Sequence, residues 1–116
     1  MKLIMAIIKP SRLDGVLDAI TAAGASGLTV TEVCGYGRQR GRAEVHVGDE
    51  YEVTLLPKVK LEIAVTSDVA DCMVDAIQRA ANTGRIGDGK IFVLDLEKAL
   101  RIRTGERDAA AITDHS

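Results

Sequence analysis

One order of patterns is written twice along this chain, and that repetition limits the fold more than anything else in it. Residues 3–8 are an unbroken apolar run closed by Lys9-Pro10. Leu13, Val16, Leu17 and Ile20 follow at i, i+3, i+4 and i+7, the spacing of one helix face. Ser11 stands as an N-cap with Asp14 as its capping-box partner, and Gly24 is the stop. The β-branched run LTVTEV, residues 28–33, makes a second strand. The second half repeats this. Val59, Leu61, Ile63 and Val65 alternate with Lys60, Glu62 and Ala64, a period of two. Ser67 caps a helix with the stripe Val69, Cys72, Met73, Ala76, Ile77 and Ala80, ended by Gly84. The run KIFVLDL, residues 90–96, closes the unit as a strand.

Between the halves, residues 35–49 (GYGRQRGRAEVHVGD) hold glycines and cations but no long apolar period. A connection of that length is usually functional or disordered. It reads as an excursion between two strands, part hairpin extension and part mobile. A parallel sheet would need a helical crossover there, so the order predicts an α+β chain, strand-helix-strand twice, of the ferredoxin-like kind. Its antiparallel sheet carries both helices on one face. The expected boundaries are one domain over residues 1–112, with the mobile loop at about 37–55 and a tail at 113–116.

Composition excludes several function classes. The 116 residues are 47% hydrophobic and 28% charged, a globular balance. Tyr36, Tyr51 and Phe92 are the whole aromatic set, so there is no base-stacking platform. The net charge of −2 gives no footprint for nucleic acid. Cys34 and Cys72 lack metal spacing and read as reduced small hydrophobes. The opening apolar run is too short for an export signal or a membrane span, which predicts a cytoplasmic protein.

The first strand is apolar on both faces: Leu3, Met5 and Ile7 on one, Ile4, Ala6 and Ile8 on the other. The last strand likewise offers Phe92 and Leu94 against Ile91 and Val93. With helices on one face only, the other is buried by further copies of the chain or left wet on an apolar-surfaced monomer.

Few segments suggest chemistry. Gly84-Arg85-Ile86-Gly87-Asp88-Gly89-Lys90 fits the start of the phosphate-loop pattern, but Ile91 stands where Ser or Thr would hold magnesium. It also follows a helix and opens a strand, the reverse of a phosphate loop, so it is either a close backbone approach to an anion or a helix end with a tight turn. Arg101 and Arg103, on an extended segment, would face one way and either fork a polyphosphate or simply form a solvated face. Lys58, where the loop re-enters the sheet, could pair with a carboxylate ligand or end a strand edge. His46 and His115 form no catalytic arrangement with Ser, Cys or Asp, and the chain reads as no enzyme.

Taken together, AIIKP (6–10), TVTEVCGYGRQRG (29–41), EY (50–51), LPKVKLEI (56–63), TGRIGDGKIFV (83–93) and RIRTGE (101–106) resemble the nitrogen regulatory P-II signal-transduction proteins. The resemblance runs from Met1 to about Ile112. It implies a ferredoxin-like homotrimer that senses ATP, ADP and 2-oxoglutarate and regulates nitrogen metabolism. It implies nucleotide binding between subunits at positions matching Thr29, Gly37, Arg38, Gln39, Gly87, Asp88, Gly89, Lys90, Arg101 and Arg103. It further implies 2-oxoglutarate beside the ATP, near Gly37, Gly41 and Gly87, held through a magnesium ion on Gln39 and paired with Lys58. The implied partners are nucleotidyltransferases that act on the protein itself, regulators of nitrogen metabolism and ammonium transporters. The last would add membrane association to a cytoplasmic protein. Tyr51 matches a loop tyrosine that many relatives have uridylylated or adenylylated; the alternative is an unmodified exposed tyrosine.

The loop departs from the usual pattern. Val47 stands where many relatives have an arginine that enters the transporter, and His46 replaces the preceding aromatic residue. Asp49 occupies the place of a phosphorylatable serine, and Glu52 and Thr54 make the distal loop more polar. A paralogue with another membrane or soluble partner is the alternative. A small acyl- or phosphoryl-transfer enzyme, a plain oligomerisation module and a P-II-like protein that ignores 2-oxoglutarate are the other rivals.

Overall fold

Strands β1 (Lys2–Ile8) and β5 (Leu56–Val65) lie side by side at the centre of a four-stranded antiparallel sheet. This computed structural model describes residues 1–36, 45–47, 51–53 and 55–113, with 45–47 and 51–53 described as strand backbone only. Strand β6 (Gly89–Asp95) flanks β1 and β2 (Thr29–Gly35) flanks β5, giving the order β2-β5-β1-β6. Each half of the repeat thus contributes one central and one edge strand, the split ferredoxin-like arrangement. Short strands β3 (Val45–Val47) and β4 (Tyr51–Val53) pair as a separate hairpin, the expected extension of the long connection.

The pairing register turns the period of two into a core. Ile4 faces Ile63, Ala6 faces Leu61 and Ile8 faces Val59, and all six are buried. Helix α1 (Leu13–Ala22) adds Val16 and Ile20; helix α2 (Ser67–Ala81) adds Ala70, Met73, Ile77 and Ala81 to the same cluster. Both helices therefore cover one face. The opposite face carries Leu3, Met5 and Ile7 beside Leu94, Phe92 and Lys90. Phe92 is 48% and Leu94 45% exposed, so the two-sided apolar pattern does leave one face open in the single chain.

Several local expectations are corrected. Ser11 caps nothing: it sits in a 3-10 turn (Pro10–Arg12), and α1 starts at Leu13 without a side-chain cap. Pro10 pre-sets the backbone for that turn and displaces the helix start. Ser67 is the first residue of α2, with Thr66 preceding it, and its hydroxyl accepts from the Met1 ammonium at 3.1 Å. Helix α2 ends at Ala81, and Gly84 (φ 76°) belongs to the turn beyond. Its last turn is closed by Arg12, whose guanidinium donates to the Ala80 carbonyl at 2.6 and 2.9 Å. Gly24 (φ 101°) does end α1, with Ala25 N–H on the Ile20 carbonyl at 2.9 Å. Cys72 is exposed, as is Cys34, and neither packs as a small hydrophobe; Ala70 holds the buried place in the α2 stripe.

Candidate functional site

The turn between α2 and β6 is folded around one carboxylate. Asp88 accepts the N–H groups of Thr83 (2.8 Å) and Gly84 (3.0 Å) and the Thr83 hydroxyl. Lys9, just past β1, reaches the same carboxylate at 3.1 Å and donates to the Thr83 hydroxyl oxygen at 3.2 Å. These hydrogen bonds, with Thr83 contributing most and the Lys9 charge adding to it, hold the Asp88 carboxyl well below the usual carboxylate range. Gly87 (φ 93°) and Gly89 (φ 106°) supply the left-handed backbone of the turn. At Gly89 a Cβ would stand 1.7 Å from the Ile7 carbonyl oxygen, so only glycine fits against β1. The Asp88 side chain is therefore spent on its own turn. What the turn offers a ligand is backbone: among the described residues no acceptor lies on the N–H groups of Ile86, Gly87 and Asp88.

Lys58 stands opposite. It pairs across the sheet with Val33, packs its stem on Gly35, and donates from Nζ to the Gly87 carbonyl at 2.5 Å. Between them lies an open cleft of about 490 Å³ lined by Lys58, Arg85, Gly87, Asp88, Gly89 and Lys90. That volume lies within the usual range for small-molecule sites. Three cations face one carboxylate that Lys9 already neutralises, so the cleft favours an anion. Tyr36 and Leu56, the two ends of the connection between β2 and β5, line the same cleft together with Gly35.

The other expected phosphate-binding residues lie elsewhere. Arg101 and Arg103 do not share an extended segment. Leu100 bridges to Arg107, Gly105 (φ 74°) donates to the Arg101 carbonyl at 2.8 Å, and the chain folds back. The Arg101 guanidinium turns inward, donating to the carbonyls of Ala111 (3.1 Å) and Thr113 (2.9 Å) around helix α3 (Ala109–Ile112) and pairing with Glu106 at 3.5 Å. Arg103 is exposed. The side-by-side fork predicted from their spacing is thus overturned, because a hydrogen-bonded turn replaces the strand it assumed. Thr29 is exposed at the start of β2, opposite Glu62. Glu62 lies four residues along β5 from Lys58, about 13 Å at ~3.3 Å per residue. Arg101 lines a separate cavity of about 380 Å³ with Ser26, Gly27 and Ala64. One chain therefore joins Lys58 with Gly87, Asp88, Gly89 and Lys90, but keeps Thr29, Arg101 and Arg103 apart from them.

Gly37, Arg38, Gln39 and Gly41 lie outside the described residues, as does the side chain of Tyr51 on β4. The sequence reading missed Lys9, Thr83 and Arg85. Lys9 and Thr83 carry no local signal, because their importance comes from meeting Asp88 in space. Arg85 could have been found, since it sits inside the glycine-rich run already singled out.

Comparison with known proteins places the chain in a family. The family described as "Nitrogen regulatory protein P-II" matches residues 1–106. A nitrogen regulatory protein P-II of Rhizobium etli is 59% identical over 112 residues, 97% of this chain and all of that protein. The protein of that name from Klebsiella oxytoca is also 59% identical with the same coverage. Nitrogen regulatory protein P-II 1 of Escherichia coli K12 is 58% identical over the same length. These relatives are named as regulatory proteins. A match that takes in both halves of the repeat and the glycine-rich turn leaves one assignment: the chain belongs to the nitrogen regulatory protein P-II family.

Proposed function

We propose that this chain is a signalling protein that senses adenine nucleotides and 2-oxoglutarate, acts as a homotrimer, and reports through the connection between β2 and β5. One observation carries the reading. The cationic cleft that would take the ligand is walled by both ends of that connection, Tyr36 and Leu56, as well as by Lys58 and the turn at Gly87. An occupant there contacts the base of the loop and biases its conformations in proportion to its different affinity for each.

In this reading the phosphates of ATP or ADP lie on the turn from Gly87 to Lys90. A second copy brings Thr29, Arg101 and Arg103 to the same ligand. The open sheet face of Leu3, Met5, Ile7, Phe92 and Leu94 supports association of copies. Lys58 takes the distal carboxylate of 2-oxoglutarate. Magnesium, when bound, holds phosphate and 2-oxo acid oxygens together, with Gln39 as its protein ligand. Gly37, Arg38 and Gly41 complete the loop side of the site.

The partners are regulatory targets of the P-II type, and Tyr51 is the position for nucleotidylylation. His46 and Val47 at the tip favour a second reading of the output alone: the same ligands, read by a target other than an ammonium transporter. Among the described residues no helix is long and apolar enough to cross a membrane. Any place at a membrane would come through such a partner.

Calorimetry with ATP and magnesium, with and without 2-oxoglutarate, tests the sensor. Each ligand is expected to tighten the other, since coupling is reciprocal. Independent binding would remove the mechanism.

A further inference from the structure

We propose that Lys9 is a positioning residue of the anion cleft: it neutralises Asp88, so that the carboxylate that holds the turn can sit beside a bound phosphate. The inference rests on the nucleotide reading above and adds a residue that reading did not include.

The turn that leads into β6 needs an acceptor. Two backbone N–H groups, from Thr83 and Gly84, and the Thr83 hydroxyl converge on one side chain. An ionised carboxylate accepts all three of these bonds with its two oxygens. The same side chain lines the cleft, among groups otherwise suited to an anion. A bare carboxylate at ~6 Å from a phosphate near a protein surface would repel it by enough, after screening at physiological salt, to weaken binding on the order of tenfold. Lys9 removes that conflict. Its ammonium lies 3.1 Å from the Asp88 carboxylate and 3.2 Å from the Thr83 hydroxyl oxygen, about three-quarters buried at 24% exposure. Because Lys9 directly follows β1 and Asp88 directly precedes β6, the β1–β6 pairing from Ile8 opposite Gly89 fixes their approach.

The arrangement makes a specific double substitution informative. In K9M the carboxylate stays and its counter-charge goes. In K9M/D88N the amide oxygen can still accept from Thr83 and Gly84, while the amide N–H₂ donates to the Thr83 hydroxyl oxygen. No ammonium is left to oppose it. The turn keeps its bonds and the cleft loses the repulsion.

Calorimetry of the wild type, K9M, K9M/D88N and the conservative K9R with ATP, ADP and AMP decides the matter, with thermal melts confirming folding. K9M is expected to bind ATP about tenfold more weakly, with a smaller loss for ADP and least for AMP. K9M/D88N is expected to return ATP binding to within about threefold of wild type, and K9R to stay there as well. Equal losses for all three nucleotides, or a double variant no better than K9M, would show a merely structural lysine and overturn the proposal. A wild type that binds none of the three instead overturns the nucleotide reading on which the proposal stands.

Discussion

The ammonium of Lys58 on β5 donates a 2.5 Å hydrogen bond to the carbonyl of Gly87 in the turn before β6. This bond ties the strand that ends the long connection to the segment whose N–H groups at Ile86, Gly87 and Asp88 meet no acceptor among the described residues. A carboxylate entering the cleft meets a lysine already aimed into it and held by a neutral acceptor, which it can displace or share.

Substituting Lys58→Ala removes both that tie and the charge. Binding of 2-oxoglutarate in the presence of ATP and magnesium is expected to weaken at least about tenfold, as for loss of a charge-assisted hydrogen bond. ATP binding should stay within about threefold of the wild type. Titration calorimetry reads both numbers, and an unchanged 2-oxoglutarate affinity would remove Lys58 from the site.

Gly89→Ala sets a Cβ against the Ile7 carbonyl at a φ that side chains rarely adopt. A loss of roughly 2–4 kcal/mol is expected from clash and strain together. Gly27→Ala, in open space, should change stability by no more than about 0.5 kcal/mol. Denaturant unfolding at fixed protein concentration compares the two.

The corrected helix stripe has its own check. Ile77 is fully buried, and Ile77→Ala should cost roughly 2–5 kcal/mol by leaving a cavity. Cys72 is exposed, so Cys72→Ser should fall within about 0.5 kcal/mol of wild type in the same unfolding experiment. A large cost at Cys72 would restore it to the core.

The open sheet face gives an association test. Phe92→Asp puts a charge beside Met5, its partner in the register, on a face that carries Leu3 and Leu94 as well. Sedimentation is expected to find a trimer for the wild type and smaller species for the variant. A monomeric wild type would mean that this face is not a subunit contact.

Acid should act late. The Asp88 carboxyl is held low by Thr83 and then Lys9, and that of Asp95 is held low by Lys2. A carboxyl depressed in the folded state stabilises fully above its unfolded value, near 3.8, and loses that contribution as pH falls through the folded one. The stability gap between wild type and Asp88→Asn should be constant from about pH 5 to 7 and shrink only below about pH 4. Chemical unfolding across pH measures it, and a gap that closes near pH 6 would contradict the arrangement.

The fold was legible because its parts repeat locally. The alternation of Val59, Leu61, Ile63 and Val65 named four buried residues, and the doubled order of patterns named the topology. The caps were less legible. Pro10 moved the start of α1 past Ser11, and the chain entering α2 left Ser67 inside the helix. Of the site, Lys58 and the run from Gly87 to Lys90 were legible and do meet in one cleft. The extended segment expected at Arg101 and Arg103 was misjudged, since the partners of Arg101 around Ala111 and Thr113 come from a turn that no short-range period announces.

The sequence by itself settled which faces are apolar, since hydrophobic periodicity follows directly from the backbone geometry of helix and strand. Tertiary structure decided which charges meet. Lys9 reaches Asp88 and Lys58 reaches Gly87 only because antiparallel register brings distant strand ends together. Such encounters depend on how the whole sheet is assembled, and no window of neighbouring residues contains them.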